Sequence, residues 1–128
     1  MKKLALIAVM AAFASPTLAD DVFGDWKTAP DENGYTGIIR IAACGSKICG
    51  TNIQSFDPSG KAVKTKSTGT KLLKNFVASG GGKYLGEAFN PADGKTYKGK
   101  LALTSKNVLN VKGCIAFICK TQGNWKRQ

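Results

Sequence analysis

The side chains able to do chemistry are few and unevenly placed. Histidine is absent from all 128 residues, which removes imidazole triads, imidazole general bases and most catalytic metal sites. Of the eight carboxylates, Asp20, Asp21, Asp25, Asp31 and Glu32 crowd one short stretch, leaving Asp57, Glu87 and Asp93 for the rest. Asp57 and Asp93 stand in turn signatures, where a structural role is expected. Glu87 has no second carboxylate in sight, so there is no glycosidase pair. Gly80-Gly81-Gly82 lacks the strand, the spacing and the Lys-Ser ending of a phosphate loop. An enzyme is not expected, and neither is a cofactor or a metal.

The four cysteines are the other reactive groups. Cys44 and Cys49 enclose four residues, as do Cys114 and Cys119, so each pair can meet across a tight reversal and form a local disulfide. Four cysteines allow three pairings. The two local bridges are the expected ones, each contributing about 2 kcal/mol through so short a loop. A zinc ion held by four thiolates would need reduced thiols and shorter spacers, and a redox dithiol is usually separated by two residues.

Charge is the remaining chemical signal. Nineteen basic residues against eight acidic ones give a formal charge of +11, and Lys61, Lys64, Lys66, Lys71 and Lys74 form a block without acids. Such a surface keeps a protein soluble and attracts anions or anionic headgroups. Nucleic acid is a poor partner, because nearly all the cations are lysines rather than the arginines suited to bidentate contacts.

The chain opens with Met1-Lys2-Lys3, an apolar run from Leu4 to Phe13, and Thr17-Leu18-Ala19. This pattern predicts a cleaved signal peptide over residues 1–19, too short in its apolar part to be a bilayer span. Residues 20–128 then form one domain with no transmembrane segment, in the periplasm or secreted.

Fifteen glycines and many β-branched residues argue for short strands joined by tight turns. Gly86 to Tyr97 reads as a hairpin turning at Pro91 to Gly94. Tyr97, Gly99, Leu101 and Leu103 alternate with polar neighbours, as do Leu109 and Val111 further on. Earlier, Gly24 to Thr28 is a first strand, Tyr35, Gly37, Ile39 and Ile41 share one face, and Ile48 to Phe56 follows. Lys61 to Thr70 is expected to be a mobile loop. Lys71 to Val77 fits a strand somewhat better than a two-turn helix, since glycines bound it. The result is an all-β chain of seven to nine antiparallel strands, enough to close into a single barrel of about eight and leave no edge.

Trp26-Lys27-Thr28, the segment from Cys44-Gly45 to Ile48-Cys49-Gly50, Asn90 to Tyr97, and the ending Gly113-Cys114, Cys119 to Gln122, Trp125 and Arg127 resemble the uncharacterised bacterial domain-of-unknown-function family 2147. The resemblance spans nearly all of residues 20–128 and implies a small exported protein with a lipocalin-like (calycin-like) closed barrel. It further implies that Gly24 and Trp26 open the first strand and that Arg127 packs on Trp26, closing the barrel; Trp26 as an ordinary core residue fits the same letters.

The expected function is binding of a small apolar or amphipathic ligand, with an anionic one suiting the basic surface. Tyr35, Phe76, Tyr84, Phe89 and Tyr97 are the candidate lining residues, with lysines at the mouth. If side chains fill the barrel instead, the alternative is a structural or interaction module of the cell envelope, meeting an envelope polyanion or a protein partner through its basic surface.

Overall fold

A computed structural model describes residues 21–128; the expected signal peptide lies outside them. Nine strands follow one another: β1 (Gly24–Lys27), β2 (Thr36–Cys44), β3 (Lys47–Phe56), β4 (Ala62–Val63), β5 (Lys71–Gly80), β6 (Lys83–Asn90), β7 (Lys95–Ser105), β8 (Val108–Ile115) and β9 (Ile118–Arg127). All neighbours are antiparallel, in the order β2-β1-β9-β8-β7-β6-β5-β3-β4, and a further β2–β3 pairing closes the ring. Eight strands therefore make a closed barrel, with the two-residue β4 attached to the end of β3.

The turns set the register. At the β6–β7 hairpin, Asn90 and Asp93 side chains accept from the amides of Ala92 and Lys95, while Gly94 takes a φ of 71°, the local chemistry that a reversal at Pro91 to Gly94 requires. β7 then alternates as its sequence predicts, with Gly99 and Leu101 buried between exposed Lys98 and Lys100.

Two strands depart from strict alternation. In β5 the register shifts between Lys74 and Val77, and Asn75 has a φ of 56°. This bulge brings Leu73 and Phe76, three apart, to the same inward face, which is why their spacing also suits a helix. In β3 Ile38 pairs with Gln54 and Ile39 with Asn52. The extra residue there turns both Asn52 and Ser55 inward and leaves Ile53 outside.

The barrel has two unlike ends. One gathers the start of β1, the hairpins at 44–47, 80–83 and 105–108, and the end of β9. Its interior is filled by Trp26, Phe76, Ile41, Ile48, Tyr84, Leu101, Leu109 and Trp125. The other end gathers the loop at 28–35, the segment from 57 to 70, the 91–94 turn and the tip of the β8–β9 hairpin. The two disulfides, Cys44–Cys49 and Cys114–Cys119, stand at opposite ends, each stapling one hairpin.

The segment from 61 to 70 is more tightly held than its composition predicts. Ser55 Oγ lies 3.0 Å from Thr65 Oγ1 and 2.9 Å from Thr68 Oγ1. Asn52 exchanges backbone hydrogen bonds with Gly69 and Thr70. Short hydroxyl side chains do the work that an apolar pattern would otherwise reveal.

Candidate functional site

At the filled end, Trp26 is fully buried and its Nε1 donates to the Val22 carbonyl at 3.0 Å. The Arg127 guanidinium lies 4.3 Å from the Trp26 ring, within cation–π range. Its N–H groups donate to the carbonyls of Lys106, Phe23 and Asp21 at 3.0, 2.8 and 2.6 Å. Gly24 has a φ of 131°, and a Cβ there would fall 2.9 Å from Arg127 Nη1. Gly24, Trp26 and Arg127 are thus brought together. Across β1 and β2, Asp25 receives Arg40 Nε and Nη2 at 2.9 and 3.0 Å.

The five aromatic residues expected to line a cavity are not brought together. Phe76 and Tyr84 are buried in the core cluster, the Phe76 ring against Gly86 and Gly99. Tyr97 is half-buried near the other end, its hydroxyl donating to Asp93. Tyr35 precedes β2 and is 37 % exposed, so the inward face of β2 begins at Gly37. Phe89 points outward with Lys74 Nζ 5.4 Å from its ring, because Ala88 takes the inward place opposite Tyr97. An inward Tyr84 already decides this: a residue five further along a regular strand faces the other way.

Below the 61–70 segment lies a buried polar cluster that apolar periodicity does not reveal. Asn52 Nδ2 donates to Ser55 Oγ at 3.1 Å, and both residues are buried. Asn52 Oδ1 is buried without a hydrogen-bonding partner among the described residues. Ser55 also forms part of the wall of a surface groove of about 330 Å³, with Ile53, Ala62, Val63, Lys64 and Thr68. A second depression of about 250 Å³ lies on the outer face of β2 and β3, between Arg40, Ala42, Cys44, Cys49 and Lys71, and it shares Ile53 with the first. Ile53 is exposed between them. Alternation from the inward Ile48 already places Ile53 outside; what the β3 bulge adds is an inward Ser55 where regular pairing would turn it out.

Hydrogen bonds hold three carboxyls below the usual aspartate range: from Arg40, with its charge adding, at Asp25; from the Ser59 hydroxyl and the Lys61 amide at Asp57; from the Tyr97 hydroxyl and the Lys95 amide at Asp93. The same contact with Asp93 raises the Tyr97 hydroxyl. With depressed carboxyls, the folded chain binds fewer protons than the unfolded one in the acid range. The stability they add is complete above the unfolded aspartate values and is lost as pH falls through the lowered ones. Thermal midpoints measured from about pH 6 down to about pH 2 should fall chiefly below about pH 4. A midpoint independent of pH across that interval would show these bonds to be absent in solution.

Among the described residues no group of three or more His, Cys, Asp or Glu is placed to hold a metal. Among the described residues no helix is long and apolar enough to cross a membrane. The disulfides suit an oxidising compartment.

An eight-stranded closed barrel of this form is lipocalin-like. The chain belongs to the family described as "Uncharacterized protein conserved in bacteria (DUF2147)", whose model matches residues 24–127. It is similar in structure to protein HP1028 from Helicobacter pylori, described as belonging to the lipocalin family, with a TM-score of 0.67, 21% sequence identity, and coverage of 84% of this chain and 82% of that one. None of the curated proteins matches the chain.

Proposed function

We propose that this is an exported, non-enzymatic binding protein for a small amphipathic anion, and that the ligand lies along the outer groove rather than inside the barrel. The observation that carries this reading is the pair of depressions joined at Ile53. Ala42, Ala43, Ile53, Ala62 and Val63 offer it apolar contact, while Lys64 stands in one depression and Lys71 in the other. The larger depression, at about 330 Å³, is in the range of small-molecule sites. The hydroxyls of Ser55 and Thr68 are engaged with each other, Asn52 and Thr65, which leaves the lysines to meet the anionic end. Export rests on the amino-terminal pattern and on the disulfides, and it places the protein in the periplasm or outside the cell.

Dodecanoate titrated into the protein should shift the Ile53 and Val63 methyl resonances. Replacing both Lys64 and Lys71 with Gln should weaken that binding roughly tenfold at low salt. Native mass spectrometry of protein from the exporting cells should show a co-purifying amphiphile. Shifts confined to Tyr84 and Tyr97 would move the ligand into the barrel and overturn the groove assignment. No shift at up to about 1 mM, a weak-binding limit, would end the proposal.

A further inference from the structure

The β8–β9 hairpin ends in an apolar point. Ile115 is 66 % exposed, Phe117 101 % and Ile118 78 %. The paired residues Ile115 and Ile118 leave Ala116-Phe117 as a two-residue turn, and Ala116 takes a φ of 54°. Turns of this length with a left-handed first residue favour glycine, because a side chain there is strained. This chain instead places Ala and Phe at the tip, and clamps the neck just behind it with the Cys114–Cys119 disulfide. A local rule broken where the chain is also covalently stapled marks a feature held in place for use.

The face behind the tip is cationic. Lys98 is the register partner of Cys114, and Lys100 is the partner of Lys112. All three lysines are exposed. Like charges directly opposite on a sheet repel each other unless an outside anion shares them. Glu87, opposite Lys98, is the one carboxylate in register with this face, and residues 94–128 contain none. At the same end of the barrel, Asp31, Asp57 and Asp93 are engaged within their own turns and Glu32 is exposed in the 28–35 loop, against exposed Lys61, Lys64, Lys66 and Lys120.

We infer that this hairpin docks the protein on an anionic phospholipid bilayer, the tip entering the interfacial region and the lysines meeting headgroup phosphates. A projecting point of three side chains is too small to make a stable protein interface, which buries above about 1,000 Å². It suits the headgroup boundary, where a few apolar side chains and a cationic collar act together. Stapling holds the apolar side chains presented before contact, so little order is lost on binding. The inference is independent of the groove.

Sedimentation with vesicles of phosphatidylglycerol and phosphatidylcholine, against phosphatidylcholine alone, tests it on the disulfide-bonded protein. The protein should partition onto the anionic vesicles. The combined change Ile115→Ser, Phe117→Ser and Ile118→Ser should weaken partition at least about tenfold without moving the thermal midpoint. Replacing Lys98, Lys100 and Lys112 with Gln should weaken it roughly fivefold per lysine at low salt. In a separate variant, Phe117→Trp, emission should move to shorter wavelength with anionic vesicles. No partition by the parent protein, a serine variant that binds as tightly, or an unmoved Trp emission would each overturn the inference. So would a dimer that the serine changes dissolve while vesicle binding stays the same, which would assign the tip to a second copy of this chain.

Discussion

Replacing Trp26 with alanine should cost about 3–5 kcal/mol, the range for a fully buried large aromatic, and lower the thermal midpoint by roughly 10–20 °C for a domain of this size. The change removes more than area. It leaves the Val22 carbonyl without its indole donor and takes away the surface on which Arg127 lies. Arg127 in turn links Asp21, Phe23 and Lys106 through their carbonyls, so the loss reaches the lead-in to β1 and the β7–β8 turn together. Arg127→Lys tests the second half of the arrangement. It keeps the charge but cannot supply the planar fork, and should cost on the order of 1–2 kcal/mol as hydrogen bonds to a charged donor are lost. A Trp26→Ala midpoint within about 2 °C of the parent's, against the 10–20 °C expected, would contradict closure of the barrel by this stack.

Much of this architecture is legible in the sequence because it rests on period two and on turn chemistry. Gly99 and Leu101 alternate with lysines and are found buried, and Cys114 meets Cys119 because four residues suffice for a stapled hairpin. What is hidden is hidden by bulges. The one at Asn75 puts Leu73 and Phe76 on one face at a spacing of three, and the one in β3 does the same for Asn52 and Ser55. Each breaks the two-residue period without leaving a glycine or proline as a marker. The groove wall depends on the second of these for its inward Ser55, whereas Ile53, five residues beyond the inward Ile48, is placed outside by alternation itself. The hydroxyl cluster of Ser55, Thr65 and Thr68 is missed for another reason: its members are ordinary loop residues until the fold brings them together. Phe89 differs again, since its distance of five from Tyr84 is enough to place it outside.

The same geometry locates the most sensitive packing in the barrel. Gly86 and Gly99 are register partners on β6 and β7, and the Phe76 ring lies across both. A Cβ on Gly86 would stand 2.5 Å from Phe76 Cγ and 2.8 Å from the Lys74 carbonyl oxygen, and one on Gly99 would stand 2.7 Å from Phe76 Cζ. Gly86→Ala should therefore destabilise by about 1–3 kcal/mol through overpacking, although alanine is otherwise a mild change. Phe76→Ala should cost about 3–5 kcal/mol by leaving a cavity. Together they should cost at least about 1 kcal/mol less than their sum, because the added methyl enters space that the ring has left. Denaturant midpoints of the four proteins measure that difference, and strict additivity would mean that the ring does not sit on the glycine pair. Coupling of the expected size would also bear on ligand placement, since an aromatic ring seated this closely occupies the space an internal ligand would need.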